Sequence, residues 1–166
     1  MSSRNLDDAV YQIKQFAVEL INQARDEVNL KVIVTSVMRT YLEQVALYAQ
    51  GRMPLVEVNI SRKKAGMLPL EEKYNKVVTW TLNSKHIINL LDDKPDNDKS
   101  EAVDFGILDR SGKYRGDEKA DTNEDNKSDY LQLGEIGKFV ASRLEYDIIW
   151  GGSWKKPDYP HFQYGL

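Results

Sequence analysis

The chain has 166 residues, 41% of them hydrophobic and 30% charged, a balance that fits one soluble globular domain with a buried core. A formal charge of −3 excludes any general attraction to nucleic acid or anionic lipid. The absence of cysteine excludes disulfides, thiolate catalysis and Cys-type structural zinc. In chain order, an amphipathic helix is predicted first, from Val10, Ile13, Ala17, Leu20, Ile21 and Ala24 at three- and four-residue spacing. Lys31 to Ser36 is β-branched and strand-like. A second helix starts at Thr40, where Thr40 and Glu43 form a capping box, and Gly51 supplies its stop. Residues 52–76 hold no clear period and read as a long surface excursion with a basic knot at Arg62, Lys63 and Lys64.

Val77 to Trp80 and Ala102 to Leu108 read as strands flanking an acidic insert, Asp92 to Lys99. Residues 109–129 read as a solvated loop. Tyr130 to Tyr146 is a third helix with Ile136, Phe139, Val140 and Leu144 on its apolar face, weakened by Gly134 and Gly137. Asp147 to Trp150 and His161 to Tyr164 are the last strands. Helices and strands do not alternate regularly, so the expected fold is α+β: one domain over 1–166, a mainly antiparallel sheet and about three helices. The segment Met-Ser-Ser-Arg-Asn-Leu-Asp-Asp lacks the apolar region of a signal peptide, and no later stretch is long enough to span a membrane.

The chain has only two histidines, His86 in Ser-Lys-His and His161 in Asp-Tyr-Pro-His-Phe-Gln. Two imidazoles and one carboxylate are the usual protein share of an open catalytic zinc site, with water in the last position. Asp158, three residues before His161, is a candidate general base; Glu101, Asp98 and Asp147 are rival carboxylates. Arg39 follows a β-branched strand and precedes a helix cap, a good place for a fixed cation at a cleft edge. Trp150, Trp154 and Tyr159 are aromatics of the kind more often found in a core than lining a cleft.

Three blocks carry a family resemblance. Ser84-Lys85-His86 followed by Ala102-Val103-Asp104-Phe105 resembles the S-x-H…A-x-D zinc signature of the M15 peptidases, which hydrolyse peptidoglycan. Trp150-Gly151-Gly152-Ser153-Trp154 with Asp158-Tyr159-Pro160-His161-Phe162 is similar to that family's W-G-G-x-W…D-x-x-H-F ending. Ser36 to Arg52 is similar to its S-x-x-R-[ST]-x-x-E-Q-x-x-L-Y-x-x-G-R block, and the phage endolysin branch matches best. The resemblance implies one Zn2+ held by His86, Asp104 and His161, with Asp158 as base. It also implies that Arg39 stabilises the oxyanion or holds a substrate carboxylate; Gln44, on the helix that follows Arg39, is read as a polar contact to the site and substrate, and Ser84 as orienting the loop or the substrate. One departure stands out. The common signature places histidine and acid closer, as H-x-x-G-x-A-x-D, whereas residue 104 follows residue 86 by 18 positions, so residues 87–99 read as an insertion.

The acidic loop raises calcium as a second ion. Asp121, Asn123, Asp125 and Asp129 fall on ligand positions of an EF-hand-like loop, but Asn126 replaces the turn glycine and Gln132 the bidentate glutamate. A solvated loop is the simpler reading. The resemblance implies a monomeric L-alanyl-D-glutamate endopeptidase that cuts peptidoglycan stem peptides for phage lysis. It would be made in the bacterial cytoplasm and released to the wall. The alternatives are a D,D-carboxypeptidase or dipeptidase using Arg62–Lys64 to capture a terminal carboxylate, and a zinc-containing wall-binding domain without turnover.

Overall fold

Apolar residues along Tyr11–Val28 (α1) put Ile13, Phe16, Ala17, Leu20 and Ala24 on one buried stripe. A computed structural model describes residues 2–88 and 98–165 of the chain. After α1 come Lys31–Ser36 (β1), Tyr41–Ala49 (α2), Leu55–Lys64 (α3), Ala102–Leu108 (β2) and Tyr114–Arg115 (β3). Asp129–Leu144 (α4), Ile148–Trp150 (β4) and His161–Tyr164 (β5) complete the order. All strand pairs in the sheet are antiparallel, in the order β1-β2-β5-β4, with β3 also pairing with β2. The α+β architecture expected from the sequence is observed, with four α-helices among the described residues.

Helices α1 and α4 pack together on one face of the sheet. Val103, Phe105 and Ile107 of β2 and Phe162 of β5 meet Leu20, Leu133 and Val140 in one core cluster. Full burial of each such side chain contributes about 1.5–3 kcal/mol. Side chains alternate along a strand, so Asp104, His161 and Gln163 fall on the opposite face. The register sets Asp104 directly opposite His161, and an irregularity after Val34 brings Ser36 opposite Asp104 on the other side. Three strands thus deliver one row of polar residues to the face that the helices leave open.

Four local expectations need correction. Residues 77–80 form no strand; they run as an extended wall of the cleft described below. Residues 55–64 form α3, invisible to periodicity because only Val58 is buried; its acidic first turn and basic last turn suit the helix dipole. Phe139 is 54% exposed rather than on the buried face of α4. Residues 109–129 are not all loop, since they include β3 and the first residue of α4. Of the insertion predicted at 87–99, residues 89–97 lie outside the described residues.

Gly134 and Gly137 do not weaken α4 without return. A Cβ on Gly137 would sit 2.3 Å from Phe162 Cε1, and one on Gly134 would sit 2.4 Å from Trp150 Cζ2. Phe162 is packed against Phe16 and Phe105 and has nowhere to retreat. Gly137→Ala would gain up to about 1 kcal/mol of helix propensity. It should lose about 1–3 kcal/mol to overpacking, so the expected net effect is a lower urea midpoint; a higher one would contradict the close contact.

Candidate active site

The loop carrying His86 is tied to the turn after β1. Arg39 N donates to His86 O at 2.9 Å, and Ser100 Oγ donates to Val37 O at 2.7 Å. His86 Nδ1 also bonds to Val37 O, which as a carbonyl can only accept, so this nitrogen carries the proton. Its Nε2 is therefore the lone-pair nitrogen, and it lies 3.1 Å from Asp104 Oδ1 and 3.3 Å from His161 Nδ1. In His161 the roles are reversed. Nε2 bonds to Gln163 Oε1 at 3.0 Å, and Nδ1 lies 2.8 Å from Asp104 Oδ1.

This arrangement passes a chemical test for a metal. One nitrogen of each ring is engaged by an oxygen acceptor, leaving the other nitrogen, with its lone pair, facing a shared carboxylate oxygen. All three donor atoms lie within 4.8 Å of one another, a group able to hold a metal ion. Tetrahedral zinc with bonds of about 2.0–2.1 Å needs ligand atoms about 3.3 Å apart, close to the observed 2.8–3.3 Å.

Asp104 is the most constrained of the three. Burial alone would raise its carboxyl, but whenever the rings are protonated instead of holding a metal, the charge of His86 and the hydrogen bonds from both histidines outweigh burial and hold the group well below the usual carboxylate range. Its second oxygen, Oδ2, receives Arg39 Nη2 at 2.7 Å. Arg39 Nε is fixed by Ser36 Oγ at 3.2 Å. For His161, burial works downward, but the hydrogen bond and charge of Asp104 raise its pKa overall.

These groups open into a cleft of about 560 Å³, within the range of small-ligand sites. Asp158 lines it. Its carboxyl is raised by desolvation and then by the charge of Asp104. The segment carrying Asp158 is exposed, which makes the Asp104 charge the better-founded cause. Asp158 is held by its backbone, with Asp158 N donating to Gly151 O at 3.0 Å and Asp158 O accepting from His161 N at 3.2 Å. A Cβ on Gly151 would fall 2.6 Å from Asp158 O, so this glycine permits the close approach.

Ser84 lines the cleft, and its Oγ also accepts from His86 N at 3.3 Å. Gln44 needs correction as a substrate contact. It is fully buried and does not line the cleft, donating instead to Thr79 Oγ1 and Thr81 O at 3.0 and 2.7 Å. Its Oε1 receives Arg39 Nη1 at 3.4 Å, so it braces the wall and the arginine together. Among the rival acids, Glu101 pairs with Lys85, and neither it, Asp98 nor Asp147 lines the cleft. Arg62 of the basic knot donates to Leu68 O, and none of Arg62–Lys64 reaches the cleft.

Sequence reasoning missed several cleft residues: Trp80 and Lys156, whose ammonium sits 3.9 Å from the Trp80 ring centroid, together with Lys155 and Tyr114. Gln163 was missed too, although its position two residues after His161 on a strand places both on one face. Trp154 lines the cleft beside His161, with ring centroids 5.1 Å apart, while Trp150 belongs to the core and donates to Tyr159 O.

A family model of the M15 peptidases, described as D-alanyl-D-alanine carboxypeptidase, matches residues 100–164, a stretch holding Asp104, Asp158 and His161. The chain is 27% identical over 152 residues to the peptidoglycan L-alanyl-D-glutamate endopeptidase CwlK of Bacillus subtilis, covering 91% of this chain and 70% of that protein. Together these matches support reading the chain as a peptidase of the M15 type. Its fold is also similar to that of the L-Ala D-Glu endopeptidase ChiX of Serratia marcescens. That likeness has a TM-score of 0.56 at 18% identity and covers 99% of this chain and 89% of that one.

Gln163 fixes the ring proton of His161. Gln163→Leu keeps the side chain's size but removes the acceptor. Zinc affinity, measured by competition with a chelator, should fall by about 10–100-fold; unchanged affinity would show that the contact does not orient the ring.

Proposed function

We propose that this chain is a zinc-dependent L-alanyl-D-glutamate endopeptidase that cuts the stem peptide of bacterial peptidoglycan. The observation that carries the proposal is the convergence of His86 Nε2, Asp104 Oδ1 and His161 Nδ1 inside a cleft that also presents Asp158. The similarity to CwlK supplies the bond and substrate class. Lys85, Lys155 and Lys156 line the cleft of a chain whose net charge is negative, which favours an acidic peptide.

Zinc bound by the three side chains would supply Lewis acidity toward the scissile carbonyl and lower the pKa of water. The remaining work falls to the chain itself. Asp158 accepts a proton from the attacking water and returns it to the departing amine, and its raised pKa eases the return. Arg39 holds Oδ2 of Asp104, which leaves Oδ1 for the two histidines. Because Arg39 also lines the cleft, its charge lies beside the place where oxyanion charge develops. Ser84 shapes the loop before His86 and presents a polar edge to the peptide.

The D,D-carboxypeptidase reading is weaker, because the basic segment proposed to capture a terminal carboxylate lies away from the cleft. We extend the proposal to a phage lysis role, acting as a monomer released from the bacterial cytoplasm to the wall. The resemblance of residues 36–52 and 150–162 to phage endolysins supports that extension.

Digestion of purified peptidoglycan followed by mass spectrometry should yield fragments cut between L-alanine and D-glutamate. Release of terminal D-alanine alone would favour the carboxypeptidase, and no cleavage would favour the wall-binding domain. Asp158→Ala should reduce hydrolysis by about 10²–10⁴-fold with zinc content unchanged. Loss of the metal instead would make Asp158 a ligand.

A further inference from the structure

We propose that Lys156, seated against the Trp80 ring, binds the free carboxylate of the glutamate that follows the scissile bond, so that stem peptides keeping this acid are cut in preference to those in which it is amidated. The inference rests on the endopeptidase reading and adds a substrate class to it. In an L-alanyl-D-glutamate bond the departing amine belongs to the glutamate. One of that residue's two carboxyls carries the peptide onward, and the other is an anion unless it has been amidated. A site that handles the amine therefore meets a negative charge a few bonds away. Amidation removes the charge and replaces one acceptor oxygen with a donor NH2 group.

The cleft holds a cation for that charge. Lys156 Nζ lies 3.9 Å from the Trp80 ring centroid, and both residues line the cleft. The ring covers one side of the ammonium and leaves donors for an oxygen. Among the described residues no acid forms an ion pair with Lys156, whereas Lys85, the cleft lysine beside His86, is paired with Glu101. Of the two carboxylates that line the cleft, Asp104 is held by Arg39 and the histidines, and Asp158 is the base. The Trp80 platform is supported in turn. The Arg52 guanidinium lies 4.0 Å from the Tyr48 ring centroid and 5.6 Å from that of Trp80, and it donates to Tyr48 O and Thr79 O at 2.6 and 2.9 Å. The loop that carries Lys156 is closed at both ends, because Trp154 N and Asp158 N both donate to Gly151 O, at 3.1 and 3.0 Å. Lys156 precedes Asp158 by two residues, which span at most about 7 Å of chain. Asp158 returns its proton to the amine of the glutamate, so the lysine and that residue's free carboxylate lie on the same side of the scissile bond.

The test is steady-state cleavage, by the zinc-loaded full chain, of two synthetic stem peptides that differ at one group. In one the glutamate carboxyl outside the chain is free, and in the other it is a primary amide. The acid should be cut with a kcat/KM at least about tenfold higher, mainly through a lower KM, and added salt should narrow the gap. Lys156→Met, at an exposed position, keeps most of the apolar stem and should reduce the preference to about twofold or less. Lys156→Arg, which keeps the charge and stacks on an aromatic ring, should retain it. Zinc content checks that both variants fold. Equal cleavage of the two peptides by the unaltered chain, or an unchanged preference in Lys156→Met, overturns the inference and leaves the endopeptidase reading standing. Cleavage of neither peptide between alanine and glutamate overturns that reading and the inference with it.

Discussion

The site depends on where two ring protons are held. An imidazole offers a lone pair to a metal only through the nitrogen that carries no hydrogen, and a buried ring left without partners costs about 1–3 kcal/mol. Here the Val37 carbonyl takes the Nδ1 proton of His86, and Gln163 takes the Nε2 proton of His161. Both choices turn the free nitrogen toward Asp104 Oδ1. Arg39 completes the arrangement by occupying the other carboxylate oxygen. The three donors are thus set by hydrogen bonds made outside the trio, so little remains to be organised when a cation binds.

The fold supplies those hydrogen bonds through register. Asp104 stands opposite both Ser36 and His161, so three strands share one row at the open face. The opposite face of the same strands is sealed by α1 and α4, with Val103, Phe105 and Phe162 held in the core. A slip of one residue in β2 would send Asp104 into that core and a hydrophobe into the cleft. Packing against the helices therefore protects the chemistry, although no helix residue of α1 or α4 lines the cleft. The approach of α4 relies on Gly134 and Gly137, whose missing side chains admit Trp150 and Phe162.

Much of this was legible in the sequence, and the failures have physical causes. Strands β1, β2, β4 and β5 and helices α1, α2 and α4 follow from strong periodicity or clear caps such as Thr40 and Glu43, whose reciprocal capping box is present. Helix α3 was illegible because one buried residue cannot make a period. His86, Asp104, His161 and Asp158 stood out through motif and chemistry. Val37 could not, since its contribution is a backbone carbonyl and any residue type carries one. Trp80 and Lys156 meet across the cleft from segments far apart in sequence, and nothing local marks the encounter. Gln44 was read as a substrate contact because its place after Arg39 in the chain suggested the site; its actual work is to join Arg39 to the Thr79–Thr81 wall from beneath.

The site therefore combines a preset trio, a carboxylate on a glycine-permitted turn and a basic rim. Zinc K-edge absorption of the metal-loaded protein examines the trio most directly. The account predicts two imidazole nitrogens and one carboxylate oxygen at about 2.0–2.2 Å, with the remaining position filled by solvent. A spectrum with fewer than two imidazole nitrogens, or a protein that retains no zinc after dialysis, would contradict it.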